Sequence, residues 1–152
     1  MRRIGRIVTA AAVIAALAGS VPVGPADAST GALRDRHAML HATNISRDRF
    51  SLAGVWINRT MSQVARQHSL AMAQSQTLFH TSDPARAYLK GIRWNYWGEN
   101  VGVTGGNVSD LEQAFMASTS HRQNILNRSF RHVAIGAVRV DGVLWVTVFF
   151  YG

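Results

Sequence analysis

The chain has 152 residues and a mass of 16.6 kDa, room for one domain of ordinary size. At 47% apolar and 16% charged it is neither a disordered tail nor a charged coiled coil. Sixteen Lys and Arg against eight Asp and Glu give a formal +8, and the absence of cysteine excludes a disulfide framework, a Cys-ligated zinc site, an iron–sulfur cluster and a thiol nucleophile.

Residues 1–28 read as a secretory signal. Arg2, Arg3 and Arg6 form a positive start, Ile7 to Leu17 an apolar run, and Ala26-Asp27-Ala28 a small-residue cleavage signature before Ser29. The apolar run ends at Gly19-Ser20, with Pro22 and Pro25 close behind, short of the ~20 residues a membrane-spanning helix needs. The expected product is a secreted, extracellular domain over 29–152 without a stable membrane anchor. Losing three Arg and Asp27 leaves that domain a formal +6. In an exported domain this basic balance favours anionic envelope polymers, lipid head groups or simple solubility, and the scattered Arg argue against nucleic acid as a partner.

Along the domain, Gly31 to about Asn44 is expected to form a first helix. Thr60-x-x-Gln63 has capping-box spacing and opens the cleanest helical pattern, through Met61, Val64, Ala65, His68, Ala71 and Met72. Ser82-Asp83-Pro84 starts a short helix that Gly91 is expected to close. Trp97–Val103 reads as a strand. Ser109-x-x-Glu112 again has capping-box spacing and leads a helix through Leu111, Ala114 and Phe115, which accounts for Glu112 without a site role. Val133–Val140 and Val143–Tyr151 flank Asp141-Gly142, a type I′ hairpin signal. Those strands are apolar on both faces, so they belong to a covered sheet. The pattern predicts an α+β fold, a three-layer α-β-α sandwich.

Three segments carry polar groups that packing does not require: Leu78-Phe79-His80-Thr81, Trp97-Gly98-Glu99-Asn100-Val101 and Ser120-His121-Arg122-Gln123-Asn124. Glu99 and Glu112 are the only glutamates in the chain. His68 sits on the apolar stripe of its helix and reads as a packed histidine. His37 and His41, spaced i, i+4, lack a carboxylate nearby. His132 begins a strand and is expected at its edge or in solvent. The N-x-S/T sequences at Asn44, Asn58, Asn107 and Asn127 are read as caps and turns.

The ordered set of motifs resembles the CAP superfamily of cysteine-rich secretory, antigen-five and pathogenesis-related proteins, in its bacterial secreted branch. Asn44-x-x-Arg47 resembles the motif after that family's first helix, and Ala65-x-x-His68-Ser69-x-x-Met72-Ala73 its second helix. Gly98-Glu99-Asn100-Val101 matches the Gly-Glu-Asn signature, and Ser118-x-x-His121-Arg122-x-Asn124-Ile125-Leu126 a later segment. Ile135-Gly136 and Trp145-x-Thr147-x-x-Phe150 resemble the closing strands. The resemblance implies a CAP-type sandwich with a mostly antiparallel central sheet. It also implies a cleft lined by two His and two acids, whose His pair can hold a divalent metal. His80, Glu99 and His121 match; the place of the second acid, three residues after Phe115, holds Ser118.

Two neutral imidazoles, His80 and His121, would leave water to complete a shell around a weakly held zinc or calcium ion. Glu99 would orient His121 or accept a proton from bound water. The expected function is an extracellular binding module with a divalent ion in this cleft. A metal-dependent hydrolase with Glu99 as base is the alternative. Binding of a small apolar ligand, a sterol or fatty acid, through the Trp94, Tyr96 and Trp97 cluster stays open, as does a cell-envelope polymer.

Overall fold

The structure, a computed structural model, describes residues 11–14 and 25–152. Most of the expected leader lies outside the described residues. Within it, Ala11–Ile14 forms a strand (β1), and the proposed cleavage signature falls in the first turn of α1, Pro25–Asp48. The chain continues with β2 (Trp56–Ile57), α2 (Arg59–Ser75), α3 (Pro84–Tyr88), β3 (Trp97–Thr104), α4 (Val108–Ala117), α5 (Thr119–Ile125), β4 (His132–Val140) and β5 (Val143–Tyr151).

The strands form one five-stranded sheet in the order β1-β3-β5-β4-β2. The long strands β3, β5 and β4 pair antiparallel, while β1 on β3 and β2 on β4 are parallel edges. Both faces are covered, because alternate side chains of β4 and β5 are apolar on each. Val133, Ile135, Val146, Val148 and Phe150 pack with Met39 of α1, Leu111 and Phe115 of α4, and Ile125 of α5. Ala134 and Phe149 pack with Met61 and Ala65 of α2, and Val138 and Trp145 with Met72 and Ala73. Helices on either side of the sheet give the expected α-β-α sandwich. Each large side chain buried this way contributes about 1.5–3 kcal/mol.

Local chemistry sets the boundaries, with some corrections. Asp141 and Gly142 take φ of 50° and 79°, the backbone a type I′ hairpin turn requires. Asp83 caps α3 ahead of Pro84, but the helix ends at Tyr88 with Leu89 as its C-cap, and Gly91 at φ 77° turns the chain two residues after that cap. Neither expected capping box forms as spaced. Asn58 caps α2 by accepting from the Met61 amide, and Asn107 with Asp110 makes the capping box of α4. Asparagine at these positions outranks the Ser and Thr two residues on, because its carbonyl reaches an orphan amide of the first turn. Glu112 is thereby released from its assigned role and lies buried under α1.

His121 and the residues after it, through Ile125, lie in the helix α5. The two-residue strand β2 is too short to leave a pattern in the sequence. Gly136 is needed because α2 crosses it closely: a Cβ there would run into the backbone of Ala65.

Candidate functional site

Helix α2 ends at Gln76, whose left-handed backbone (φ 51°) turns the chain so that the next segment runs beside the start of β3. This brings His80 and Thr81 to Glu99. Nδ1 of His80 lies 2.9 Å from Oε1 of Glu99, the Thr81 amide donates to the same oxygen at 2.9 Å, and the Thr81 hydroxyl donates to Oε2 at 2.6 Å. The Glu99 side chain is 2% exposed and that of His80 21%. Burial alone would raise the Glu99 carboxyl. Hydrogen bonds from His80 and Thr81, with the nearby His68, outweigh it and hold the group below its ordinary value. An ionised Glu99 accepts only, so the neutral His80 ring carries its proton on Nδ1 and its lone pair on Nε2.

His68 joins this cluster from α2. Its Nδ1 lies 3.1 Å from the Thr147 hydroxyl, which also accepts from Ser69 at 2.9 Å, and its ring meets Phe79 edge-on at 5.1 Å. Burial lowers the His68 imidazole, Glu99 raises it, and His80 lowers it again; the net direction is down. Beneath lies Tyr88, stacked on Phe149 at 4.1 Å, whose phenol is pushed up by burial and by the Glu99 charge. His68 thus belongs electrostatically with Glu99, and Thr81 holds it directly. Thr81 follows His80 in sequence, but nothing in a lone Thr marks it as a carboxylate partner.

The other matching residues are held differently. Successive strand residues face opposite ways, so Asn100 looks away from Glu99 toward α5. There it donates to the His121 carbonyl and accepts from Asn124, which also donates to the Glu99 carbonyl. His121 is fully buried, its ring 4.7 Å from Phe115. Ser118 links α4 to α5, its hydroxyl 3.5 Å from that of Ser120. Arg122 lies over the Phe50 ring at 4.8 Å. Trp97 is a core residue and Trp94 packs beside it, leaving only Tyr96 of that aromatic cluster largely exposed. His132 is exposed at the start of β4, stacked on Tyr151.

Asn44 and Arg47 serve the frame. Asn44 exchanges two hydrogen bonds with the Val55 backbone. Arg47, 1% exposed, donates to the carbonyls of Ala53, Ile125, Asn127 and Phe130, tying the α1–β2 loop to the α5–β4 loop. Asn127 accepts from the Ser129 amide, so the four N-x-S/T asparagines act as a loop clamp, two caps and a turn.

Among the described residues no group of three or more His, Asp or Glu side chains is arranged to hold a metal ion. The Glu99 oxygens are committed to His80 and Thr81. Donors for a cation are therefore imidazole nitrogens, a set that suits a weakly held ion completed by water and not a structural metal. Two cavities of about 390 and 490 Å³ lie elsewhere, one between α1 and α2 and one between α1, α4 and α5.

The family model for the cysteine-rich secretory protein family, CAP, matches residues 40–150. The Bacillus subtilis protein YkwD is 30% identical over 118 residues, covering 73% of this chain and 45% of that protein. The chain thus spans about half the length of this relative. An extracellular Bacillus anthracis protein containing an SCP domain superposes with a TM-score of 0.72 at 24% identity, over 87% of this chain and 45% of that one. An outer surface protein of Borrelia burgdorferi gives 0.68 at 19% identity, over 78% and 92%. A cysteine-rich secretory protein of Staphylococcus aureus gives 0.65 at 24%, over 79% and 39%. At these identities the structural likeness concerns the fold alone.

Proposed function

The chain belongs to the cysteine-rich secretory protein (CAP) family, in its bacterial branch, and from that premise we propose that it is an extracellular binding module whose ligand meets the imidazole of His80. The observation that carries this reading is the three hydrogen bonds on Glu99, which fix the His80 ring and its tautomer. The extracellular assignment rests on relatives described as extracellular, outer-surface or secretory proteins, with the leader-like start of the sequence. No helix among the described residues is long and apolar enough to cross a membrane.

In this reading the ligand is, or includes, a divalent cation held by His80 and His121. Imidazole donors favour zinc over calcium, which takes oxygen ligands. Bound, such an ion would polarise a ligand oxygen. What the chain itself supplies is orientation: Thr81 and His80 hold Glu99, and Glu99 holds the His80 ring.

The hydrolase alternative asks Glu99 to act as a base. A buried carboxylate already accepting three hydrogen bonds, and held below its ordinary value, is a poor proton acceptor near neutral pH. Binding is the better use of this geometry. Calorimetric titration of the full chain with zinc and with calcium at pH 7.5 tests it, beside His80→Ala and His121→Ala. Zinc uptake that disappears in His80→Ala supports the reading. Uptake unchanged in both variants, or none in the wild type, refutes it.

A further inference from the structure

The cavity of about 390 Å³ between the N-terminal half of α1 and the first turns of α2 has an unusual lining. Its floor is apolar, from Ile135 and Ala137 of β4 with Leu33 of α1. Its walls carry two arginines, Arg36 and Arg66, and the amides of Gln63 and Gln67. No acidic side chain lines it. Asp35, next to Arg36 in sequence, is engaged with Arg139 at 2.8 Å. The Arg59 charge acts on Arg36 as well, so the cationic potential here comes from three guanidinium groups.

Arg47, fully buried, and Arg36, partly buried, are treated differently. Arg47 is fully supplied: its guanidinium donates to four backbone carbonyls. Arg36 is not, because its Nε is buried without a hydrogen-bond partner. Burial, and then Arg59, lower the Arg36 guanidinium, yet it stays charged at any physiological pH. A charged donor buried without an acceptor costs free energy that an anionic oxygen would recover. The Ser62 hydroxyl is already engaged elsewhere, donating to the Asn58 carbonyl and accepting from the Ile135 amide.

We propose that this pocket binds a phosphate-type oxyanion, clamped between Arg36 and Arg66 with the Gln63 and Gln67 amides at its rim. Arg is suited to this because its planar fork presents paired donors to tetrahedral oxygens. The apolar floor strengthens each charged hydrogen bond by lowering the local dielectric. The same group occurs as free phosphate and as the repeating unit of a polyanionic chain. The site is separate from the His80 cluster and does not depend on it.

The test is calorimetry on the full chain at low salt, with inorganic phosphate and, separately, with polyphosphate. Arg66→Gln, at an exposed position, should weaken phosphate binding several-fold without affecting folding. Arg36→Gln/Arg66→Gln should weaken it at least tenfold. Arg49→Gln/Arg122→Gln removes the same charge at the rim of the other cavity and should change binding less than twofold. A chain bound more tightly per phosphate than the free ion identifies a polyanion as the source, and equal binding identifies the ion; both uphold the site. Equal losses in the two double variants, binding of polyphosphate alone, or no binding of either would overturn it.

Discussion

His80 and Glu99 meet with Nδ1 and Oε1 2.9 Å apart, a carboxylate 2% exposed against an imidazole that still reaches solvent. Buried on its own, Glu99 would favour its neutral form. The donors from His80 and Thr81 reverse that preference. The same bonds that stabilise the charge also aim the ring, so folding energy and the orientation of the imidazole are linked in one contact.

Glu99→Gln should therefore cost stability at neutral pH, on the order of 1.5–3 kcal/mol, the range for hydrogen bonds to a charged group. Because the native carboxyl lies below its ordinary value of 4.5, its contribution is fully present above that pH. It is lost as pH falls through the lower native value. Urea unfolding of wild type and variant should thus diverge at pH 7 and converge toward pH 3.

Glu112 behaves in the opposite sense. Burial raises it above 4.5, and the hydroxyls of Ser46 and Thr43 only partly offset this. The native state then holds its proton longer than the unfolded chain, so this group's contribution declines as pH rises from 4.5 through the native value. Glu112→Gln should gain on wild type between pH 4.5 and 7.5 in the same unfolding measurement.

Arg47→Lys should destabilise the protein by about 3 kcal/mol, despite keeping the charge. A single ammonium cannot reach carbonyls on both loops, and those left without a donor stay buried. Loss of protection at Val55 and Phe130 amides in hydrogen exchange would locate the damage.

Gly136→Ala adds one methyl where α2 lies against β4, and the obstacle is the Ala65 backbone, which cannot rotate aside. Overpacking of this kind costs about 1–3 kcal/mol. Thermal unfolding should show it, whereas Arg66→Gln at the exposed surface should leave the midpoint unchanged.

Most of the frame was legible because apolar periodicity and turn chemistry act locally. Asp141-Gly142 and the flanking strands declared the hairpin, and Met61 to Met72 the face of α2. The caps were misplaced by two residues because Asn, Ser and Thr compete for the same orphan amides, and only geometry decides among them. The meeting of His80 with Glu99 could be expected from the ordered motifs. The parts played by Thr81 and His68 could not, since a hydroxyl and a packed imidazole acquire meaning only from what folding sets beside them. Glu112 illustrates the reverse error: a plausible local role hid a buried carboxyl held by α1.

The most direct test of the central claim is nitrogen-15 NMR of the histidine side chains near pH 8, with and without zinc, in wild type and Glu99→Ala. The account predicts that neutral His80 carries its proton on Nδ1 in the wild type, loses that preference in Glu99→Ala, and shifts at Nε2 when zinc is added. A His80 ring protonated on Nε2, or one whose signals zinc leaves unmoved, would contradict it.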